Sequence, residues 1–460
     1  MAHVWSGFAM SAMCGSRQNG ARPHDALLRY PVPKSKQVLE DGRPGAADKR
    51  TGFRSGKQMR VALAWELGGG MGHVDRLAPW AGQLAQRDAR VTAIVADLPV
   101  ASARLPLAPD ALLQAPVLRH GALAVGLGRH SYAELLLAAG YGNPATLEAL
   151  VRGWLSALHL AKADLVLADH APTALLAARI SGLPAVQIGD GFTIPPAGSV
   201  AFGKEAEREL ARYAAAEERV TSTIHRVQRD YASPPLARLA ALQEVEQTLL
   251  LTYPELDHYQ GAERACGYAG APVATMPEAS ETLMHGQAEN SRPSVFAYLK
   301  PMHAQFAAAV NALAGLKVPV TVYAGGAPAP SGAGHLDWRL QPLDVGAAIG
   351  AATLVVCHAG HGLVCQALLA GRPLLLLPGS YEQLLTAYNV AALGAGAWIH
   401  PEAVGSQVRK GLVRSLADAD LTRNAGSFAR AHQRTAGQLT AWLAECTDRI
   451  CALAAGRGSR

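Results

Sequence analysis

Two stretches of this 460-residue chain join glycines to histidines where an apolar strand gives way to a helix. The first is Gly68-Gly69-Gly70-Met71-Gly72-His73. Glycine suits a backbone that must turn sharply or lie close to a ligand. The pattern misses the dinucleotide fingerprint G-x-G-x-x-G: counted from Gly68 the third glycine position is His73, and counted from Gly70 it is Asp75. It also lacks the lysine of a P-loop, so a nicotinamide enzyme and a phosphate-cradling NTPase are both disfavoured. His73 opens the next helix. An imidazole can take a proton from an acceptor hydroxyl near neutral pH. The positive end of a helix favours the neutral form that a base needs. The same ring would also serve simply by bonding into its own loop. A base gains from a carboxylate that orients it. Asp169 ends the strand-like Leu165-Val166-Leu167-Ala168-Asp169 and would lie on the same rim, with capping of the next helix as its plainer role. Asp97, at another strand end, is the second candidate. His170 reads as a rim residue rather than a metal ligand.

The second stretch is Val356-Cys357-His358-Ala359-Gly360-His361-Gly362-Leu363. Small residues there leave the amides of a helix start free to meet an anion, and no metal is needed. A diphosphate bound there is stabilised both in a donor and as it departs, which is what glycosyl transfer requires. His358 is placed to add a hydrogen bond to the phosphates, and His361 reads as a loop residue near them. The His358-x-x-His361 spacing invites zinc, but it lacks the Glu of H-E-x-x-H and an obvious third ligand, so no metal is expected. Further on, Pro378-Gly379-Ser380-Tyr381-Glu382-Gln383 sets a carboxylate beside a carboxamide. Each can bond two neighbouring sugar hydroxyls. The alternative is an acid at a helix start next to a solvated Gln.

These residues need a scaffold of parallel strands. From Met59 the chain runs strand, glycine loop, helix, strand, with strands at Arg60–Trp65, Val91–Val95, Asp164–Ala168 and Pro184–Ile188. Short apolar strands alternating with helices imply a parallel sheet covered on both faces. Residues 203–247 predict a charged helical hairpin broken at Pro234-Pro235, either one wall of an acceptor cleft or a solvated outer pair. A strand over Thr248–Tyr253 closes this half. Residues 274–293 are polar and aperiodic, as in an interdomain linker. The rhythm then restarts, with strands at Ser294–Tyr298, Val318–Tyr323, Leu354–Val356 and Leu374–Leu377, a helix over 302–315 and an amphipathic tail helix over about 423–455. The division is therefore a disordered or spurious extension at 1–58, a first domain at 59–273, the linker, and a second domain at 294–460. Ligands of open parallel sheets sit beyond the carboxyl ends of the strands. Two such domains facing each other put two substrates in one cleft, which points to group transfer.

Half the residues are hydrophobic, so large cores can be buried. The net charge is +6, but residues 1–58 hold ten Lys or Arg against four Asp or Glu, so the rest of the chain is neutral. No basic, aromatic-interleaved patch follows, and nucleic acid is disfavoured as a partner. The six cysteines form no C-x-x-C pair and read as reduced thiols, with Cys357 a packed small residue, so a cytoplasmic location is expected. No apolar run is long enough to span a bilayer, which leaves peripheral membrane contact open.

Together these residues resemble the GT-B glycosyltransferases, above all the family of plant and bacterial UDP-glycosyltransferases. The resemblance covers roughly residues 59–455. It is carried by His358-Ala359-Gly360, Gln366-Ala367-Leu368, Gly371-Arg372-Pro373, Pro378, Glu382-Gln383 and Gly394-Ala395-Gly396, and in the first half by Gly72-His73. It implies an α/β fold of two facing Rossmann-like, doubly wound domains, with acceptor on the first and donor on the second. It also allows the C-terminal helix to return to the first domain. The implied reaction moves a hexosyl group from a nucleoside diphosphate sugar, UDP-linked by the likeness, to a hydroxyl on a small or lipid-linked acceptor. It is metal-independent, inverting and free of cofactors. His73 would be the base and Asp169 its support. His358, Ala359, Gly360, His361, Gly362 and Gln366 would surround the nucleotide diphosphate, Glu382 and Gln383 the sugar, and Leu340 to Leu343 the nucleobase. The sequence departs from the family at Ala359 (usually Gly), Leu363 (a hydroxyl residue), Gln366 (Glu) and Thr386 (Asn). The altered Leu363 and Gln366 leave a binding protein with a decayed site as another reading, and a nucleotide-sugar epimerase or hydrolase on the same fold is a third.

Overall fold

The computed structural model describes residues 58–118, 130–198, 202, 209–272 and 292–456. The expected extension at 1–58 (except Gln58) and the expected linker at 274–293 (except 292 and 293) lie outside these residues.

Two halves repeat one plan. The first contains β1 (Arg60–Trp65), α1 (Gly72–Ala85), β2 (Arg90–Val95), α2 (Leu98–Arg104), β3 (Leu112–Gln114), α3 (Tyr132–Leu136), α4 (Pro144–Ala161), β4 (Leu165–Asp169), α5 (Pro172–Ser181), β5 (Ala185–Gly189), α6 (Leu210–Asp230) and β6 (Gln247–Leu250). The second contains β7 (Val295–Tyr298), α7 (Phe306–Ala314), β8 (Val320–Tyr323), β9 (Asp337–Arg339), α8 (Val345–Ala351), β10 (Leu354–Cys357), α9 (His361–Leu369), β11 (Leu374–Leu376), α10 (Tyr381–Ala392), β12 (Gly396–Trp398), α11 (Gly405–Ala417), α12 (Ala419–His432) and α13 (Ala436–Ala455).

Each half forms a six-stranded sheet, ordered β3-β2-β1-β4-β5-β6 and β12-β11-β10-β7-β8-β9. The neighbouring strands run parallel throughout. Renumbered from its own first strand, the second order is the first one read backwards. Strand order reverses between β1 and β4, and again between β7 and β10. Those are the points where doubly wound sheets bind ligands.

Side-chain alternation explains why β1 lies inside. Ala62 and Ala64 enter the core beneath α4 and α6, with Trp154 and Ile224. Val61, Leu63 and Trp65 enter the opposite core, beneath α1 and α13, with Leu77, Trp80, Leu443 and Ile450. A strand apolar on both faces is what a doubly covered sheet needs. The last helix of the chain thus covers the first sheet. The helices are delimited by local chemistry. α5 starts with Pro172 and stops at Gly182, whose φ is 62°, the proline-first, glycine-last asymmetry of helix ends. α10 is capped by Ser380, whose hydroxyl accepts from the Gln383 amide.

Three sequence expectations change. The hairpin expected over 203–247, of which 203–208 lie outside the described residues, is from 209 on one helix, α6, followed by a short 3-10 turn at Leu239–Gln243. The tail is two helices, parted at Gln433-Arg434, where Thr435 caps α13. The helix expected from 302 begins at Phe306, because the residues before it form a turn in which the Gln305 amide donates to His303 Nδ1 at 3.1 Å.

Candidate functional site

β1 ends at Trp65, paired in register with Asp169 at the end of β4. The chain then turns through Gly68 (φ 88°) and Gly70 (φ 87°) into α1. Both glycines hold a left-handed backbone that side chains disfavour. This turn brings His73 back over the sheet rim. Its ring stacks on Trp65, with centroids 5.3 Å apart, and its Nδ1 lies 3.1 Å from Asp169 Oδ2. Asp169 is fully buried. Burial opposes its ionisation, but the charges of Arg76 and His73 more than offset that and hold its carboxyl below the usual range. Asp97, the other strand-end candidate, instead caps α2 by accepting from the Val100 amide at 3.1 Å. His170 is buried next to His73 and held neutral, pushed down to about 3 by desolvation first and then by His73.

One cavity of about 3630 Å³ is lined by both rims. From the first half it takes the loop Gly68 to His73, and from the second Lys300, His358, Gly360 to Leu363, Gln366, Glu382 and Gln383. Lys300 Nζ lies 3.9 Å from where a Cβ on Gly70 would stand, so the two rims nearly meet. The halves are also joined by Thr252 to His361 (2.8 Å), His258 to Thr386 (3.0 Å) and Asn389 Nδ2 to the Asp257 carbonyl (2.9 Å).

The start of α9 is open. Its first amides have no acceptor within the helix, and a Cβ on Gly360 or Gly362 would meet nothing within 4 Å. Ala359, just before it, sits at φ 56°, a left-handed conformation that costs an alanine about 1 kcal/mol. This is the physical reason a glycine suits that position.

Two expected phosphate-side histidines behave differently from the sequence reading. His358 spends both ring nitrogens on the backbone: Nδ1 donates to the Leu377 carbonyl (3.1 Å) and Nε2 accepts from the Lys300 amide (2.9 Å). It lines the cavity but has no ring N–H left for a phosphate. Burial and the neighbouring His303 push it down to about 3, so it stays neutral. His361 is no loop residue. It is the first residue of α9, turned into the domain interface, where Nε2 meets Thr252 and Nδ1 lies 4.0 Å from Asp190 Oδ2. The two rings therefore point apart and share no metal site. Among the described residues no cluster of three His, Cys, Asp or Glu could hold a metal. Cys357 is a buried core residue whose thiol burial pushes up to about 12.

Glu382 and Gln383 lie at the start of α10 on the cavity wall. Gln383 Oε1 accepts from the Gly379 amide at 2.8 Å, leaving its NH2 for a ligand. Burial pushes the Glu382 carboxyl up to about 7; Asp190 adds to the rise, and Arg76 and Lys300 oppose it.

Four residues went unmarked by the sequence pattern. Arg76 donates to Asp169 (3.0 Å) and Asp190 (2.6 Å) and reaches His73. It stands three residues after His73, hence on the same helix face. Asp190 directly follows β5, the strand-end position that singled out Asp169. Lys300 follows β7 as the glycine loop follows β1. Glu66, beside that loop, is buried and accepts from the Thr173 amide at 2.8 Å and from the Thr173 hydroxyl.

Residues 343–438 match the family model of the glycosyltransferase family 28 C-terminal domain. Tylactone mycaminosyltransferase of Streptomyces fradiae is 33% identical over 100 residues, 21% of this chain and 22% of that protein. That alignment spans about a fifth of the curated relative. Solved structures align over most of the chain. The calicheamicin glycosyltransferase CalG4 superimposes with a TM-score of 0.61 at 18% identity, covering 88% of this chain and 100% of that one. The glycosyltransferase VinC, in complex with dTDP, gives 0.57 at 15% identity over 85% and 99%. The spinosyn rhamnosyltransferase SpnG, complexed with its aglycone, gives 0.55 at 18% over 85% and 100%. The chain has the GT-B fold.

In this GT-B chain the family 28 match spans α8 to α12 and the start of α13, and so includes the open start of α9 and the Glu382-Gln383 pair. The first half, which holds His73 and Asp169, lies outside that match. Its assignment rests on shape and on the geometry above. No helix among the described residues is long and apolar enough to cross a membrane.

Proposed function

We propose that this protein is a glycosyltransferase that moves a hexosyl group from a nucleoside diphosphate sugar to a hydroxyl acceptor, with inversion and without a metal. One observation carries the reading: the open start of α9 and His73, backed by the buried Asp169, face the same cavity from opposite domains. In this reading the α9 amides hold the diphosphate and stabilise it as it leaves. That role needs no metal ion. His73 takes the acceptor proton on Nε2 while Nδ1–H donates to Asp169, which steadies the charged ring that forms. Direct attack on the face opposite the leaving diphosphate inverts the anomeric centre. Glu382 and the Gln383 amide bind sugar hydroxyls. VinC is described with dTDP and SpnG with thymidine diphosphate. The donor nucleotide is therefore sought among thymidine and uridine diphosphates alike. The described cysteines are free thiols, which supports a reducing, cytoplasmic setting.

The test is calorimetry with UDP, dTDP and a panel of their sugars, followed by transfer assays. His73→Ala should keep donor binding and lose transfer. Absence of binding by every nucleotide would defeat the proposal. One observation favours a second reading, a hydrolase or epimerase: Asp190 is a buried acid whose charge reaches Glu382. Such an enzyme would consume donor at full rate with no acceptor present.

A further inference from the structure

Arg76 makes three contacts that the transferase reading does not require. Its Nε donates to Asp169 Oδ2 at 3.0 Å, its Nη1 to Asp190 Oδ2 at 2.6 Å, and its Nη2 lies 2.9 Å from His73 Nδ1. The side chains of Asp169 and Asp190 are 0% and 3% exposed. Two carboxylates buried this close cannot both stay ionised without a cation between them. A guanidinium can bridge both from one rigid plane; a lysine ammonium cannot do so with the same geometry.

The contacts at His73 conflict. A neutral imidazole has one N–H. Asp169 asks Nδ1 to donate, while Arg76 Nη2 asks it to accept. To act as a base, the ring must keep its proton on Nδ1 and a lone pair on Nε2. Asp169 enforces that tautomer. Arg76 then acts through its charge, by discouraging a second proton on the ring.

We propose that Arg76 is a positioning residue: braced on Asp190, it fixes Asp169 as the partner of His73 and balances the negative charge around the ring. Asp190 also lies 4.0 Å from the ring of His361, the first residue of α9. The brace therefore runs from the base to the helix start on the donor side. The assignment of His73 as a base rests on the transferase reading. The charge balance itself does not.

The groups in contact with His73 are Arg76 on its own helix, Asp169 at the end of β4 and His170 just after it; Asp190, after β5, stands behind Arg76, and Lys300 lies across the cleft beside Gly70. Without the positive charge of Arg76 the buried carboxylates lack their cation, and a protonated His73 ring beside Asp169 is the nearest replacement, so the charged ring is favoured. Removing the negative charge of Asp190 leaves Arg76 to oppose it. The two changes must act in opposite directions.

The experiment uses the full chain and two readouts. One is the pH dependence of kcat/KM for transfer. The other is the 15N signal of the His73 ring without substrate, assigned by its loss in His73→Gln. Arg76→Met should move both the acid limb and the ring titration to higher pH by about 1–2 units, and Asp190→Asn should move them lower. Arg76→Lys should leave the limb near that of the native protein while lowering kcat. If Arg76→Met does not fold, Asp190→Asn and Arg76→Lys decide. A purely structural role would lower activity with neither curve moving, and that result overturns the proposal. If the ring titrations shift in opposite directions but no acceptor is glycosylated, the transferase reading falls and the positioning role stands. If transfer is brisk and the titrations coincide, the reverse holds.

Discussion

The backbone of Gly68 faces the ring of His73 so closely that a Cβ on Gly68 would stand 2.3 Å from Nε2. Any side chain there must displace the ring, and the φ of 88° strains it further. The nitrogen that would be crowded is the one that must take the acceptor proton. Gly68→Ala should lower kcat at least about tenfold, since a misplaced base loses near-attack geometry. Donor binding should persist, because the α9 site is on the other domain. A variant with native kcat would show that His73 can move freely, and the geometry argued for the base would fail.

Removing the base and removing its partner should each abolish most transfer. His73→Ala should lower transfer by about 10²–10⁴-fold, the usual worth of a general base. Asp169→Asn should lower it by a similar factor, because Arg76 and an Asn amide both ask Nδ1 to accept, which moves the ring proton to Nε2 and removes the lone pair of the base. Asp169 is buried beneath Arg76 and Asp190, so its loss should also destabilise the fold. Rates at saturating donor, read alongside thermal melts, separate the two effects. Equal kcat in all three proteins would remove His73 from the chemistry.

Much of this arrangement was legible because it depends on strand ends. A parallel strand delivers its last residue to the rim whatever the packing, so Asp169 and the glycine loop could be placed together from sequence. The same logic reached Glu382 and the α9 start. It failed where side-chain direction decides. His361 looked like a phosphate neighbour, but the first residue of a helix can turn outward or into an interface, and here Thr252 holds it inward. His358 is at the expected place, yet its nitrogens are taken by the Lys300 amide and the Leu377 carbonyl. Arg76 reads as a solvated helix residue until Asp169 and Asp190 are brought to it from two other strands. The three-residue strands β3, β9 and β12 are too short to show a period of two, and they lack the leucine run that marks the equally short β11.

Glu66 links this buried network to stability. Burial pushes its carboxyl up to about 7 from an ordinary 4.5, against the pull of its bonds from Thr173 and Ala174. The folded chain therefore binds this proton more tightly than the unfolded chain does. The resulting stabilisation is complete below about 4.5 and is lost as pH rises through about 7. Glu382, also raised to about 7, titrates in the same window. Glu66→Gln removes one of the two ionisations and keeps an acceptor for the Thr173 amide. Its melting temperature should match the native protein near about pH 4.5 and exceed it near about pH 8, by the equivalent of about 1–3 kcal/mol. A difference that stays constant across that range would mean Glu66 does not carry the raised pKa.

The return of α13 to the first domain predicts where instability would appear if that helix were weakened. Ile450 is fully buried, and it shares a core with Leu77 and Trp80 of α1. Trp442 meets Trp80 edge-on at 5.8 Å, and Arg87 bonds both Asp448 and the Ala444 carbonyl. The apolar face of α1 therefore has a partner drawn from the far end of the chain. Ile450→Ala deletes buried methyl groups and leaves a cavity, at a cost of about 2–4 kcal/mol. Because the α1 helix carries His73, that cost should fall on the acceptor side. Denaturant unfolding should shift to lower midpoint. Protease nicking should begin in the first half, while nucleotide binding to the second half survives at denaturant concentrations where transfer is already lost. If the variant melts like the native protein, or if both functions disappear together, α13 does not support the first sheet in the way this packing requires.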